Sequence, residues 1–454
     1  MSDTIAAIAT GNSVAGIGVI RISGDTAISV ADKVFKALDG TPLSQIKGYT
    51  AKFGNVYYQN TSFDNAIALV FRNPKSYTGE DVVELSVHGG IFIVEKTLEA
   101  VFNAGARPAE PGEFTKRAFL NGKMDLAQAE AVASLITAQG QEAAKASFNL
   151  LQGSLSNKIS EILEKLVDCS ALMAAWVDYP DEEIPELEED TLLATLQNAE
   201  TALFALIKNY ENGTAMTEGV DTAIVGKPNA GKSTLMNMLS GKEKSIVTHI
   251  KGTTRDIVEN SVRLDNIILH LSDTAGIHES DDIVESIGIQ KAIEKIESAS
   301  LVLAVFDGSE SLSEEDEILI NNCKNKNCIA IINKTDLEQT LETDKIKSNF
   351  EHIVFISAKN NNGAELLSKE IKELLGVGNV DTSQPILANK RQKLCVQNAL
   401  NCITEARTGA ELGITYDAIN VMIDSAIDEL LTLTGKKVTE EVVNNIFANF
   451  CVGK

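Results

Sequence analysis

The chain has 454 residues, 44% of them hydrophobic and 23% charged, a balance that excludes a disordered, collagen-like or coiled-coil protein. At roughly 150 residues per domain it is long enough for about three domains, each with its own core. Against 40 basic residues stand 64 acidic ones, a formal charge of -24, so a nucleic-acid partner must be met locally or through a second protein.

The first residues, MSDTIAAIATGN, lack the basic start of an export signal, and no apolar run approaches the roughly 18 residues of a membrane span. A cytoplasmic location with no membrane partner is expected. Up to about residue 118, short alternating or apolar runs (Gly18 to Ile22, Ile67 to Phe71, Val82 to Val87) alternate with turns rich in Gly, Asn and Pro, the texture of an α+β domain. Within it, SYTGEDVVELSVHGG places Glu84 and His88 near a glycine turn. The histidine reads as structural, since no G-x-S-x-G nucleophile exists to use an HGG oxyanion loop.

Helical spacing follows: Leu155, Ile159, Ile162, Leu166, Met173 and Trp176, then Leu192, Leu196, Ala199, Leu203, Leu206 and Tyr210. Between them the acidic DYPDEEIPELEED, Asp178 to Asp190, reads as a solvated connection. From Thr222 to Ile356 five apolar runs (Thr222 to Val225, Ile267 to Leu271, Leu301 to Phe306, Cys328 to Ile332, Ile353 to Ile356) are separated by crossovers, which predicts a parallel sheet covered on both faces. Helical spacing returns in Leu394, Asn398 and Ile403, in Ile419, Ile423, Ile427 and Leu430, and in Val442, Val443, Ile446, Phe447 and Phe450. These last helices should pack on those before the α/β segment, making that segment an insertion.

The six cysteines, Cys169, Cys323, Cys328, Cys395, Cys402 and Cys451, are too scattered for a disulfide framework. Cys323 and Cys328 lack a second pair to complete a zinc site. The terminal FCVGK is not a prenylation box, and composition alone reads it as a frayed helix end.

The strongest chemical signal is GKPNAGKS, Gly226 to Ser233, directly after one apolar run and before a helical one. Its glycines let successive backbone N–H groups curl around an anion, Lys232 reaches the outer phosphates and Ser233 offers a hydroxyl to magnesium. DTAG, Asp273 to Gly276, ends the second run; its aspartate can hold magnesium through water. NKTD, Asn333 to Asp336, ends another, and Asp336 can accept from the two N–H donors that guanine presents and adenine does not. SAK, Ser357 to Lys359, closes the base pocket. Four motifs in this order at run ends predict a magnesium-dependent GTPase. In KGTTRD, Thr254 is a candidate magnesium ligand and Arg255 lies in the switch region. After DTAG stands Ile277, which cannot orient water, so another group must do so.

Together with RISG, SYTGEDVVEL, the block RPAEPGEFTKRAFLNGKMDLAQAEA and the terminal FCVGK, these motifs closely resemble the TrmE (MnmE) family of tRNA-modification GTPases from end to end. The resemblance implies a multidomain α/β protein: an N-terminal tetrahydrofolate-binding and dimerisation domain (1–118), a helical domain in two parts (119–217 and 379–454), and an inserted P-loop GTPase domain (218–378) with a doubly wound, mostly parallel sheet. It implies folate contacts at Arg21, Glu84, Lys123 and Lys454, and a role for Cys451 beside the one-carbon carrier, 5-formyl- or methylene-tetrahydrofolate. It implies GTP contacts at Asn229, Ala230, Gly231, Lys232, Ser233 and Thr234, at Thr248, His249, Ile250, Lys251, Gly252, Thr253 and Thr254, at Asp273, Thr274, Ala275 and Gly276, and at Asn333, Lys334, Asp336, Ser357, Ala358 and Lys359.

The resemblance further implies potassium-dependent hydrolysis, with Asn229, Thr248, Ile250 and Thr253 holding K+, Ser233 and Thr254 holding Mg2+, and Glu285 orienting the water. The implied reaction places an aminomethyl or carboxymethylaminomethyl group on carbon five of the wobble uridine of certain tRNAs. The implied assembly is a homodimer joined by the flavoprotein GidA (MnmG) in a heterotetramer or larger complex. Lys116, Arg117, Lys390, Arg391 and Lys393 are local candidates for RNA contact. Two rival readings are a GTPase switch of ribosome assembly and a folate-dependent aminomethyl transferase acting on a small molecule or protein. The first is disfavoured because no KH-type G-x-x-G module is found.

Overall fold

The computed structural model describes residues 3–11, 13–138, 141–178, 189–210, 219–241, 261–264, 267–271, 293–324, 326–376 and 385–453. Two compact units divide the chain, one built from the N-terminal residues to Ala133 with Asp428 to the C-terminus, the other from most of the intervening chain.

In the first unit, β1 (Ile5–Ile8), β2 (Ile17–Ser23), α1 (Ala27–Val34), β3 (Phe35–Ala37), β4 (Thr50–Tyr58), β5 (Thr61–Phe71), β6 (Val82–His88), α2 (Ile91–Asn103) and β7 (Arg107–Pro108) form a seven-stranded sheet of order β3-β4-β5-β6-β2-β1-β7 with its helices. Only the β1–β7 pairing is parallel. The two-residue period of IGVIRIS decides its faces. Ile20 and Ile22 enter the core with Val83, Leu85 and Val87 of β6, under Ala31 of α1 and Val101 of α2. Each fully buried Ile side chain here stabilises by about 2 kcal/mol. Arg21 and Glu84 fall on the opposite face, in register. After β7 come α3 (Glu113–Leu120) and α4 (Leu126–Thr137).

The second unit contains α5 (Gln141–Leu151), α6 (Ser154–Asp178) and α7 (Glu189–Lys208). The predicted stripes of α6 and α7 are buried, Leu155, Ile159 and Leu166 on α6 and Leu192, Leu196 and Leu203 on α7 among them, with Trp176 half-buried. Then follow β8 (Val220–Val225), α8 (Lys232–Gly241), β9 (Ser261–Leu264), β10 (Ile267–Leu271), β11 (Leu301–Asp307), α9 (Glu314–Cys323), β12 (Cys328–Asn333), α10 (Thr343–Lys347), β13 (His352–Phe355) and α11 (Ala364–Leu374). The sheet order is β13-β12-β11-β8-β10-β9, parallel except for β9. Alternate residues of β11 enter two opposed cores, Leu303 and Val305 one, Ala304 and Phe306 the other. That double burial is why the strands read as unbroken apolar runs. The edge strand β9, SVRL, is too short and too polar to stand out as an apolar run.

Two helices follow, α12 (Lys390–Glu411) and α13 (Tyr416–Thr434). The predicted stripe of α12 is rotated: Leu394 is 61% exposed, while Cys395, Val396, Ala399, Ile403 and Ala406 are buried. The small Ala399 and Ala406 let α12 lie close on α7, and Arg407 Nε donates to Glu200 Oε2 at 2.8 Å across the pair. The last helix, α14 (Glu440–Phe447), belongs to the first unit, where Val443, Phe447 and Phe450 pack with Leu126 and Ala129. Residues 179–188, most of the predicted acidic connection, lie outside the described residues.

Candidate functional site

The phosphate-loop motif sits between the C-terminal end of β8 and the first turn of α8. Gly226 has φ +156° and a Cβ there would stand 2.3 Å from the Val305 carbonyl oxygen, so only glycine fits. Asn229 holds φ +61° and Gly231 φ +98°, the left-handed turns that aim successive N–H groups into one concavity. Lys232 Nζ donates to the carbonyls of Gly226 and Lys227, both at 2.7 Å, and burial pushes its pKa down. Ser233 and Thr234 are exposed on the first turn of α8. A hydroxyl on the turn that follows a phosphate loop suits magnesium, a hard cation.

The end of β12 faces this loop. Asn333, 2% exposed, donates from Nδ2 to the Ala230 carbonyl at 2.9 Å and accepts at Oδ1 from the Ala358 N–H at 3.0 Å. It thereby ties phosphate loop, guanine motif and SAK together. Lys334, at φ +63°, pairs with Asp307 at 2.5 Å. Ser357 Oγ donates to Asp336 Oδ1 at 2.6 Å. That bond, with Lys359 and Lys334 nearby, holds the Asp336 carboxyl below its ordinary range, so an ionised double acceptor stands at the rim. Thr248 through Thr254, Arg255, Asp273 through Ile277, and Glu285 lie outside the described residues, as does Lys454.

A second constellation stands in the other unit. Arg21 Nε donates to Glu84 Oε1 at 2.8 Å, and Nη1 reaches the Gly453 carbonyl at 3.4 Å. The guanidinium lies 5.5 Å from the Tyr77 ring centroid and 5.6 Å from that of Phe114. Burial pushes the Tyr77 phenol up, and its hydroxyl is 2.9 Å from Thr115 Oγ1. The loop bearing Tyr77 is pinned to α3 and its continuation: Arg117 pairs with Glu80, Asn121 donates to the Thr78 carbonyl, and Lys123 Nζ donates to the Pro74 carbonyl. Lys123 thus meets the loop at Pro74, whereas Arg21 and Glu84 meet each other directly. Charge, aromatic surface and a carboxylate together fit a flat heterocycle with an anionic tail.

Two expectations are corrected here. Of FCVGK, the described residues Phe450 to Gly453 are not frayed: the Gly112 N–H donates to the Cys451 carbonyl at 3.3 Å. Gly453 is buried at φ +95°, where a Cβ would stand 2.2 Å from the Ile8 carbonyl. Arg117 is no RNA contact, because it is 9% exposed and its guanidinium is spent on Asp3, Glu80 and Glu113. Lys116 Nζ reaches Asn444 Oδ1 and Lys393 lies over the Tyr210 ring. His88 is exposed, and its Nδ1 lies 2.6 Å from Asp64 Oδ1. Tyr77, Phe114 and Asp307 were missed as site neighbours; the FDGS at the end of the third apolar run was the available signal for Asp307.

A phosphate loop bonded through Asn333 to an Asn-Lys-x-Asp motif defines a P-loop GTPase. The family models for the GTP-binding protein TrmE N-terminus and the MnmE helical domain match residues 4–123 and 126–451. The tRNA modification GTPase MnmE of Clostridioides difficile is 40% identical over all of both chains, and that of Alkaliphilus oremlandii 39% over all of both. Among solved structures, the FeoB G-domain from Methanococcus jannaschii is 24% identical over 35% of this chain and 98% of that one, with a TM-score of 0.26. The chain belongs to the tRNA-modification GTPase family MnmE (TrmE), and its reaction is GTP hydrolysis. Among the described residues no helix is long and apolar enough to cross a membrane.

Proposed function

We propose that this chain is a cytoplasmic, potassium-dependent GTPase that, with a GidA (MnmG) flavoprotein, adds an aminomethyl or carboxymethylaminomethyl group to carbon five of the wobble uridine of certain tRNAs. The names of its full-length relatives support the tRNA. The observation that carries the finer reading is the Arg21–Glu84 pair, walled by Tyr77 and Phe114, in a unit other than the one holding the guanine pocket. A one-site switch has no use for it.

Arg21 would hold the anionic part of a tetrahydrofolate, Glu84 would accept from the pterin's amide-like edge, and Lys123, Lys454 and Cys451 would complete the surround. Such a carrier, when bound, supplies the carbon. Lys232 would leave its carbonyls for the outer phosphates, Ser233 and Thr254 would hold magnesium, and Asn229, Thr248, Ile250 and Thr253 potassium; bound cations neutralise charge that develops on the phosphates. Thr234, the segment His249 to Gly252, and Asp273 to Gly276 would line the phosphates, and Glu285 would orient the water. Asp336 would read guanine, flanked by Lys334, Ser357, Ala358 and Lys359.

The four-part division at 118, 217 and 378 belongs to the same proposal. So does a homodimer: Phe53, Ile67 and Ile17 on the sheet face of Arg21 are 54%, 49% and 61% exposed, an apolar face that a second copy would cover. The test has two arms. Turnover should collapse when sodium replaces potassium, and a deletion strain should lose the modified wobble nucleoside by mass spectrometry of its tRNA. Equal rates in both salts would refute the potassium role, and unchanged nucleosides the tRNA role.

A further inference from the structure

The two ends of the β11–α9 connection, the last residue of β11 and the first turn of α9, carry carboxylates that solvent does not see. Asp307 and Asp316 are each 2% exposed, and a buried carboxylate is costly unless paired. Asp307 pairs with Lys334 of the guanine motif at 2.5 Å. At the other end of the loop, Asp316 Oδ2 caps α9 by accepting from Ser313 N and Oγ, and it lies 3.6 Å from Nζ of Lys227 in the phosphate loop. The same ammonium lies 2.8 Å from Glu310. Capping alone explains neither the burial of Asp316 nor its Oδ1, which is buried and has no hydrogen-bond partner among the described residues. The loop backbone joins in, since the Gly308 N–H donates to the Asn333 carbonyl at 2.9 Å.

One ten-residue stretch, from the last residue of β11 to the first turn of α9, therefore grips the phosphate loop at one end and the guanine motif at the other. We propose that residues 307–316 form a brace that fixes the distance between these two nucleotide-contacting loops, with Lys227 and Asp307 as its positioning residues. Lys227 acts through its own backbone in the phosphate loop, which its ammonium ties to Glu310 and Asp316. Asp307 acts through Lys334. Without the brace, the direct side-chain tie left between the two loops, among the described residues, is the bond from Asn333 to the Ala230 carbonyl. A guanine nucleotide that spans both would then bear the cost of ordering them. The inference rests on the assignment of GKPNAGKS and NKTD as the nucleotide site.

The experiment measures the Kd of a fluorescent GTP analogue, and KM and kcat for GTP, on the full-length protein. Lys227→Met and Asp307→Asn should each raise Kd and KM about tenfold, the size of one lost charge-assisted hydrogen bond, with kcat little changed. The double variant should bind about as weakly as either single one, because the same brace is lost once. Lys227→Arg should restore binding. Wild-type Kd in Lys227→Met, full additivity in the double variant, or an Arg variant as weak as the Met one would overturn the brace. Should Asp307→Asn fail to fold, Glu310→Ala, at an exposed side chain, should shift KM in the same direction, and an unchanged KM there would count against the proposal. Lys232→Ala separates the two readings: if it binds like wild type the nucleotide-site assignment fails, whereas if it alone loses binding only the brace fails.

Discussion

Arg21 and Glu84 stand directly opposite each other on β2 and β6, joined Nε to Oε1 at 2.8 Å. Arg21 also touches the docked tail at the Gly453 carbonyl. Its guanidinium therefore links the carboxylate to the segment that carries Cys451. Arg21→Ala and Glu84→Gln should each abolish binding of 5-formyl-tetrahydrofolate in calorimetry while GTP turnover stays at the wild-type level. Unaltered folate binding in both would remove the basis for the second site.

Asp336 is an exposed acceptor steadied by Ser357. Asp336→Asn exchanges one acceptor for a donor, so GTP affinity should fall about a hundredfold, the size of one lost hydrogen bond to a charged group. Xanthosine triphosphate, which carries a carbonyl where guanine has its amine, should gain. Competition binding with both nucleotides reads the result, and an unchanged preference for guanine would place base recognition elsewhere.

Gly112, at φ +64°, would bring a Cβ to 2.8 Å from the Phe447 carbonyl, and Gly453 one to 2.2 Å from that of Ile8. Either Gly→Ala change should destabilise tail docking by on the order of 2 kcal/mol. Faster protease release of the C-terminal segment, with GTP turnover intact, is the expected readout.

The cluster of Asp3, Arg107, Glu113 and Arg117 sets a pH dependence. Burial pushes Glu113 up, but hydrogen bonds from Arg107, the Glu110 N–H and Arg117 hold it below its ordinary value of 4.5. Asp3 is lowered chiefly by its hydrogen bond to Arg107. Groups with depressed folded values contribute stability that is fully present above the unfolded value and lost as pH falls through the folded one. The thermal midpoint should hold down to about pH 5 and fall below about pH 4, and Glu113→Gln should flatten that fall.

Glu285→Ala should spare GTP binding and suppress hydrolysis, measured by stopped-flow binding against phosphate release. Full turnover in that variant would assign water positioning to another group.

Much of this was legible in the residues. The apolar runs at Leu301 and Cys328 became β11 and β12 because strands buried on both faces need no alternation. The positions of Lys232, Asn333 and Asp336 at strand ends followed from motif and run together. What was not legible depended on tertiary neighbours. Arg117 reads as a surface cation in TKRAFL until Glu80, far away in sequence, removes it from solvent. Leu394 reads as core until small residues one step along α12 admit α7. The docking of FCVGK needs a glycine at position 112 to meet Phe450, a relation no local pattern contains.

The Glu200–Arg407 bond has a further consequence. It staples the helix that precedes the nucleotide-binding stretch to the helix that follows it, so that stretch departs and returns through one shared doorway. Replacing everything between the two helices with a short flexible tether should leave their pairing undisturbed, because the staple lies wholly within the helices themselves.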